Sequence, residues 1–154
     1  MIHVHNVASY QRSAKPEDRL AVHEYRVQFL NTLAMLLGCK ETFGTEFPDG
    51  KRPDVLRVDS KGGVLFIGDA KNTESPKCQA TQARLLEYLS WLSAHVSRDG
   101  RVGIFAICFG RDSDTQGWKE TICSLAHQVS LVFSDHGVEK FEPEINVAWF
   151  LSRI

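Results

Sequence analysis

The sequence lacks several features that readily identify a protein's class. Its formal net charge is −1, so no overall positive field attracts nucleic acid, although a local basic surface offset by acidic side chains stays compatible with binding it. No apolar stretch approaches the ~18 residues of a membrane-spanning helix. The N-terminal "MIHVHNVASYQRSAKPEDR" has no continuous apolar segment of the signal-peptide kind. We therefore expect a cytoplasmic protein with no membrane partner.

Closely spaced cysteines and glycine-rich phosphate loops are also missing. The four cysteines form no C-x₂₋₄-C pair, which argues against a zinc cluster or a disulfide scaffold and favours reduced thiols with packing roles. The segment "SKGGVLFIG" fits neither a P-loop nor a dinucleotide fingerprint, so no nucleotide cofactor is expected. No internal repeat or linker interrupts the chain, which predicts one domain over residues 1–154.

The N-terminal half predicts one long helix and three short strands. The helix begins at Pro16, since proline suits a first turn, and ends near Gly38, a residue that favours the C-terminal cap. Its apolar positions form a broad face, which indicates a helix well covered by its neighbours. The strands are predicted at residues 41–47, 53–59 and 63–70, separated by the loop "FPDGKRP" and the hairpin turn "DSKGG".

The C-terminal half predicts a second long helix and a buried strand. The helix follows Pro76 and runs to about Val96, and the apolar run "RVGIFAICF" at residues 101–109 is typical of a strand buried on both faces. Helical spacing then continues from Trp118, and "INVAWFLSRI" predicts a final strand. The order α-β-β-β-α-β, then α-β, predicts an α/β mixed sheet flanked by helices, with the third and fourth strands able to be parallel.

The predicted hairpin "RPDVLRVDSKGGVLFIGDAKN" becomes acidic at its open end. A two-residue loop at Lys61-Gly62 places Asp54 opposite Asp69, and Lys71 points to the same face because side chains alternate along a strand. Nearer the turn, the facing pairs are apolar: Val58 with Leu65 and Leu56 with Ile67.

Two directly opposed acids are destabilising unless a positive charge lies between them. A divalent cation suits the position, because Mg²⁺ prefers hard oxygen ligands. Lys71 is close enough to touch an anionic substrate bound at that metal. A register shifted by two residues would leave Asp69 opposite Leu56, so the predicted site depends on the register.

The segment "RPD…GDAK" resembles the PD-(D/E)xK nuclease superfamily, which includes restriction endonucleases, Holliday-junction resolvases and repair nucleases. The matching positions are Pro53-Asp54 and Asp69-x-Lys71, and the α-β-β-β-α-β order over about 16–109 also matches. The resemblance implies a restriction-endonuclease-like core with a C-terminal α-β extension. It points to no particular subfamily.

The resemblance also implies roles for these residues. Asp54, Asp69 and the backbone carbonyl of Ala70 would bind one or two Mg²⁺ ions, with Mn²⁺ as a substitute. The metal would lower the pKa of a bound water and stabilise charge on the attacked phosphate. Lys71 would position that water or help to deprotonate it, and would stabilise the developing negative charge. The expected product is a cleaved phosphodiester with a 5′-phosphate.

Members of this superfamily often add a glutamate to the site. Glu24 in "HEYRVQF" on the first helix and Glu46 on the first strand are the two candidates for this catalytic and metal-binding role. The superfamily's use of that helix favours Glu24, and the choice stays open. His23 falls within the apolar face of the helix and is interpreted as a core histidine.

Nucleic-acid contacts are predicted from basic and polar residues around the hairpin and at the start of the second helix. These residues are Lys51, Arg52, Asn72, Thr73, Lys77, Gln82 and Arg84. Trp91 and Trp149 are interpreted as core or interface residues rather than as platforms for base stacking.

The favoured interpretation is a Mg²⁺-dependent deoxyribonuclease, and an endonuclease in particular. A chain of 154 residues has little room for a separate recognition domain, which favours a homodimer that reads the structure of its substrate. Two alternatives stay open: a non-catalytic nuclease fold that binds nucleic acid or protein, and an RNA-directed or toxin-type nuclease. The intact set of Asp54, Asp69 and Lys71 favours catalysis.

Overall fold

The computed structural model describes residues 16–44, 52–71, 75–109, 115–142 and 145–152. Its helices are α1 (Pro16–Leu36), α2 (Gln79–Asp99) and α3 (Thr115–Gln128). Its strands are β1 (Glu41–Thr42), β2 (Val55–Val58), β3 (Val64–Ala70), β4 (Val102–Phe109), β5 (Phe133–Glu142) and β6 (Ile145–Ser152). The elements from α1 to β4 follow the predicted α-β-β-β-α-β order. No helix in these ranges is long and apolar enough to cross a membrane.

One mixed sheet of six strands, in the order β1-β2-β3-β4-β6-β5, organises the protein. Among the strands of the described ranges, β3 and β4 form the parallel pair, and α2 makes the connection between them, as a parallel crossover requires. The other neighbouring strands are antiparallel. The protein is therefore of the α/β class.

The register of the β2–β3 hairpin is the predicted one, although its turn differs. Val58 pairs with Leu65, and the ladder ends where Val55 pairs with Gly68. The turn is centred on Ser60 and Lys61 rather than on Lys61 and Gly62, because the Gly62 amide donates to the Asp59 carbonyl at 3.0 Å. The Asp59 carboxylate also accepts a hydrogen bond from the Val64 amide at 2.9 Å, which closes the turn without changing the register.

Two hydrophobic cores lie on opposite faces of the sheet, because side chains alternate along its central strands. On β3, Leu65 and Ile67 pack with α2 and α3, whereas Phe66 and Ala70 pack with α1. Gly68 allows α1 to approach closely, since a Cβ added there would lie 3.3 Å from Leu30 Cδ1. The described residues therefore form three layers, in which α1 covers one face of the sheet and α2 and α3 cover the other.

Helix α1 buries a narrower stripe than its sequence predicts. The buried positions recur every fourth residue, at Val22, Arg26, Leu30 and Ala34. Leu36 is 80 % exposed, so the expectation that neighbours cover the broad apolar face was wrong for the end of the helix. The predicted cap is confirmed: Gly38 has φ 93°, and the following Cys39 amide donates to the Ala34 carbonyl at 2.8 Å.

The C-terminal part contains one more strand than predicted. Helix α3 and strand β6 match the predicted α-β extension, and β5 lies between them in sequence and pairs with β6 at the sheet edge. All four cysteines are free thiols, as expected, and Cys39 and Cys108 are buried. Cys78 is exposed, so a packing role was the wrong interpretation for that residue.

Candidate functional site

The open end of the β2–β3 hairpin brings Asp54 and Asp69 together, and we refer to these two residues as the acid pair. Asp54 lies immediately before β2, and its Oδ2 accepts a hydrogen bond from the Ala70 amide at 2.8 Å. The Asp54 and Asp69 carboxyl groups also lie close enough for each to shift the pKa of the other. The register thus produces the predicted meeting of the two acids.

Lys71 completes the cluster from the residue just after β3. Its Nζ lies 2.6 Å from Oδ2 of Asp69, and the two side chains are only 11 % and 7 % exposed. The two residues share a face of the strand because they are two positions apart, and α2 covers that face. The ammonium group is therefore held against the acid pair, away from bulk water.

Their surroundings move the pKa values of the two acids in opposite directions. Burial raises the pKa of Asp69 to about 7, and the neighbouring Asp54 adds to this shift while the Lys71 ammonium opposes it. Burial also acts to raise the pKa of Asp54, but hydrogen bonds with His23, Asp69 and the Ala70 amide outweigh it and lower that pKa to about 2. A proton or a cation at Asp69 is therefore favoured.

Helix α1 contributes His23 to the site. Its Nε2 lies 3.3 Å from Oδ1 of Asp54, and the imidazole is 32 % exposed. The interpretation of His23 as a core histidine was therefore wrong. The side chain lies at the rim of the buried stripe, where it reaches the end of the sheet instead of its apolar interior.

The backbone of Lys71 is fixed from two sides. Its amide donates to the Cys108 carbonyl at 2.9 Å, which continues the β3–β4 pairing by one residue. Its carbonyl accepts a hydrogen bond of 2.7 Å from Nη1 of Arg26, a residue with no exposed surface. Burial raises the pKa of the Cys108 thiol to about 12, against the effect of the Arg26 charge. Because Arg26 is fully buried in the stripe of α1 that faces the sheet, it lies in the apolar layer between that helix and the sheet.

Helix α2 fixes the approach to the acid pair from the other face. The Tyr88 hydroxyl donates to the Arg52 carbonyl at 3.0 Å, which holds the chain just before Pro53 and Asp54. Burial, followed by the negative charge of Asp69, raises the pKa of Tyr88, so this phenol keeps its proton and remains a donor. The same tyrosine therefore restrains the backbone and borders the acid pair.

The remaining predicted residues are less closely associated with the acid pair. Glu24 is exposed on α1, and no contact of the described residues joins it to Asp54 or Asp69. Arg52 and Lys77 are exposed, and Gln82 donates to the Pro76 carbonyl at 2.7 Å. Arg84 forms an ion pair of 3.0 Å with Glu87. Four predicted residues lie outside the described ranges: Glu46, Lys51, Asn72 and Thr73.

The donor chemistry of the acid pair suits a hard cation such as Mg²⁺ or Mn²⁺ better than zinc. Within the described ranges, no group of three or more histidine, cysteine, aspartate or glutamate side chains could hold a metal ion. Mg²⁺ is commonly bound through only one or two carboxylates and keeps several waters, so Asp54, Asp69 and the Ala70 carbonyl fit it as a partial ligand set. A zinc site, which requires three or four protein ligands, does not fit.

Sequence reasoning found the acid pair and Lys71 but missed the roles of His23, Arg26 and Tyr88. A signal for Arg26 was present, because it occupies one position of the four-residue apolar repeat on α1. A charged residue in phase with a buried stripe is expected to have a specific partner. Neither His23 nor Tyr88 has a comparable signal, since their partners are distant in sequence.

Comparisons with known proteins add nothing to this geometry: no family profile matches the sequence, and no curated protein or solved structure is significantly similar to it. The arrangement of side chains is therefore the basis for any functional conclusion.

Proposed function

We propose that this protein is a divalent-metal-dependent nuclease that hydrolyses phosphodiester bonds of DNA, with endonuclease activity favoured. The observation that carries the proposal is the contact between the Asp54 and Asp69 carboxyl groups, with the Lys71 ammonium 2.6 Å from Asp69. Two acids and a lysine at adjoining strand ends form the motif of the PD-(D/E)xK superfamily, and the restriction-endonuclease-like core belongs to the same proposal.

Mg²⁺, or Mn²⁺ in its place, would be held by Asp54, Asp69 and the Ala70 carbonyl, and would supply an activated water and charge stabilisation at the phosphate. The chain's own residues have separate tasks. The Ala70 amide and His23 keep the Asp54 carboxylate oriented and ionised. Lys71 is placed to hold an attacking water or a phosphate oxygen beside Asp69.

Substrate binding in this proposal uses the basic and polar residues near the open end of the hairpin. Lys77 is exposed and available to phosphates, whereas the exposed Arg52 also donates to the Phe43 carbonyl at 3.0 Å and Arg84 is partly neutralised by Glu87. Because the whole chain has a net charge of −1, the attraction for the phosphate backbone of the nucleic acid would come from these local positive charges. A homodimer would let two such sites act on the two strands of one duplex.

The direct test is a cleavage assay with Mg²⁺ or Mn²⁺ on supercoiled plasmid, branched junctions, single-stranded DNA and RNA. We expect DNA cleavage that stops when the metal is chelated and that is lost in Asp69→Asn. The matched control is Asp59→Asn, which changes the aspartate at the turn end of the same hairpin and should leave cleavage intact. If the protein cleaved RNA and none of the DNA substrates, the DNA assignment would be wrong and the RNA-directed alternative would replace it.

A second candidate is a nuclease fold that binds nucleic acid or protein without cleaving. It is favoured by the way the side chains of the site partner one another, since His23 lies 3.3 Å from Asp54 and Lys71 lies 2.6 Å from Asp69. Metal-independent binding of nucleic acid, with no cleavage by the purified wild-type protein on any of these substrates, would support this candidate and overturn the catalytic proposal.

A further inference from the structure

We propose that Arg26 is a positioning residue, which fixes the backbone of Lys71 and thereby holds its ammonium group at the acid pair. The inference rests on the proposed nuclease function and adds a residue outside the PD-(D/E)xK motif. Its basis is the 2.7 Å hydrogen bond from Nη1 of the fully buried Arg26 to the Lys71 carbonyl.

Burying the charge of Arg26 destabilises the fold unless its guanidinium group has a specific partner. It occupies the buried stripe of α1 between Val22 and Leu30, where an aliphatic residue would fill the same space without desolvating a charge. Arginine is almost never fully buried without a partner. One partner of the buried guanidinium is the main chain at the lysine, and this hydrogen bond links the charge to the geometry of that residue.

Lys71 needs such a restraint because of where it lies. Strand β3 ends at Ala70, so the lysine is the first residue after the strand. Its amide is held by the Cys108 carbonyl at 2.9 Å, which fixes one side of the residue only. The bond from Arg26 fixes the other side and so defines the direction in which the side chain leaves the backbone.

The sheet allows α1 to reach this point. Gly68, two residues before Ala70, has no side chain to keep the helix away, and an added Cβ would lie 3.3 Å from Leu30 Cδ1. Arg26 lies one helical turn before Leu30, and His23, three residues earlier on the same helix, contacts Asp54 at 3.3 Å. Helix α1 thus contacts the acid end of both β2 and β3.

The test compares kcat and KM for DNA in Arg26→Met, which keeps the apolar bulk, and in Arg26→Lys, which keeps the charge and one donor group. A misplacement of about 1 Å can lower a rate about 10²-fold, so we expect a fall of that order in kcat for Arg26→Met and an unchanged KM. Arg26→Lys should retain more of the wild-type kcat. Wild-type kcat in both variants would overturn the proposal.

Two controls separate positioning from general stability. Arg57→Met removes another arginine that holds main-chain carbonyls, since Arg57 donates to the Cys39 carbonyl at 3.0 Å, far from the acid pair. It should leave kcat unchanged. Repeating Arg26→Met in a Lys71→Met background should add little further loss, because the group being positioned is already absent. An equal loss with and without the lysine would contradict the inference.

Amide hydrogen exchange at Lys71 tests the restraint without depending on catalysis. Loss of the Arg26 bond should speed exchange of this amide at least about tenfold in Arg26→Met, relative to wild type and Arg57→Met. Unchanged exchange would overturn the inference even in an active enzyme. If wild type cleaves no substrate, the proposed function fails, whereas the exchange result still decides whether Arg26 fixes Lys71.

Discussion

At its turn end the β2–β3 hairpin pairs Val58 with Leu65, both buried in the core, whereas at its open end the same register brings Asp54 and Asp69 into contact. Residues on the same face of the same strands thus have opposite chemical character, because the turn end packs in the apolar core, whereas the open end lies at the strand ends, where His23 of α1 reaches Asp54. The difference indicates that the turn end stabilises the fold, whereas the open end holds charged groups close together at a cost in stability.

Of the substitutions in the two ends of the hairpin, we expect the one at Lys71 to have the largest effect on activity. Changing Lys71→Met keeps the aliphatic stem and removes the ammonium group from the acid pair, so the expected fall in kcat is about 10³-fold, as for loss of a charge-stabilising group. Lys61→Met is the matched control, because Lys61 is exposed in the turn of the same hairpin. Cleavage rates of both variants measure the difference, and equal rates would refute the division between the two ends.

The largest stability effect is expected at the turn end. Leu65 has no exposed surface, so Leu65→Ala should lower the free energy of unfolding by about 3 kcal/mol through lost burial and a residual cavity. Urea denaturation measures this change, and kcat of the folded fraction should not move. Asp69→Asn should lower the free energy of unfolding by less, since the loss of the ion pair with Lys71 is offset by a charge that no longer has to be desolvated. A larger loss in Asp69→Asn than in Leu65→Ala would contradict the comparison.

Metal binding should stabilise the folded protein only through the acid pair at the open end of the hairpin. At a Mg²⁺ concentration of about 100 times Kd, the folded state gains about 2.7 kcal/mol, which thermal denaturation detects as a higher Tm. Asp54→Asn should lose this response because the variant has one carboxylate fewer for the cation, whereas Asp59→Asn at the turn should keep it. A full metal response in Asp54→Asn would remove Asp54 from the ligand set.

The stability of the open end should also depend on pH in the absence of metal. The pKa of Asp69 is raised to about 7 by burial, so the folded protein keeps a proton that the unfolded chain has released. Its contribution to stability is therefore complete near pH 4 and declines as the pH rises towards 7. Denaturation curves across this range should show the decline in wild type and not in Asp69→Asn. If the free energy of unfolding changed with pH in the same way in both proteins, the pH dependence could not be assigned to Asp69.

How far the sequence predicts the fold depends on how local each interaction is. The hairpin register followed from the predicted two-residue loop at Lys61-Gly62, and it is confirmed although the turn is centred one residue earlier; the close acids followed from the register. Strand β5 was missed because "FSDHGVEKFE" is polar and contains a turn-like Asp-His-Gly segment. It becomes a strand by pairing along β6, with irregularities at Phe133/Asp135 and Lys140/Glu142, and this pairing has no local sequence pattern.

The site shows the same division between local and distant contacts. Asp69 and Lys71 are two residues apart, so strand geometry alone predicts that they share a face. His23 and Arg26 are separated from their partners by long stretches of chain, and helical periodicity cannot say which strand end α1 will cross. Periodicity suggested only that His23 belonged to the core, although the helix places it 3.3 Å from Asp54.

By itself, the sequence determined an α/β chain with a hairpin that is apolar at one end and doubly acidic at the other. It did so because alternation along strands is fixed by backbone geometry over neighbouring residues. Only the tertiary structure decided that α1 meets both acidic strand ends, through His23 at Asp54 and Arg26 at the Lys71 carbonyl. That outcome depends on how closely α1 packs against Gly68, which is a matter of steric fit between elements distant in sequence.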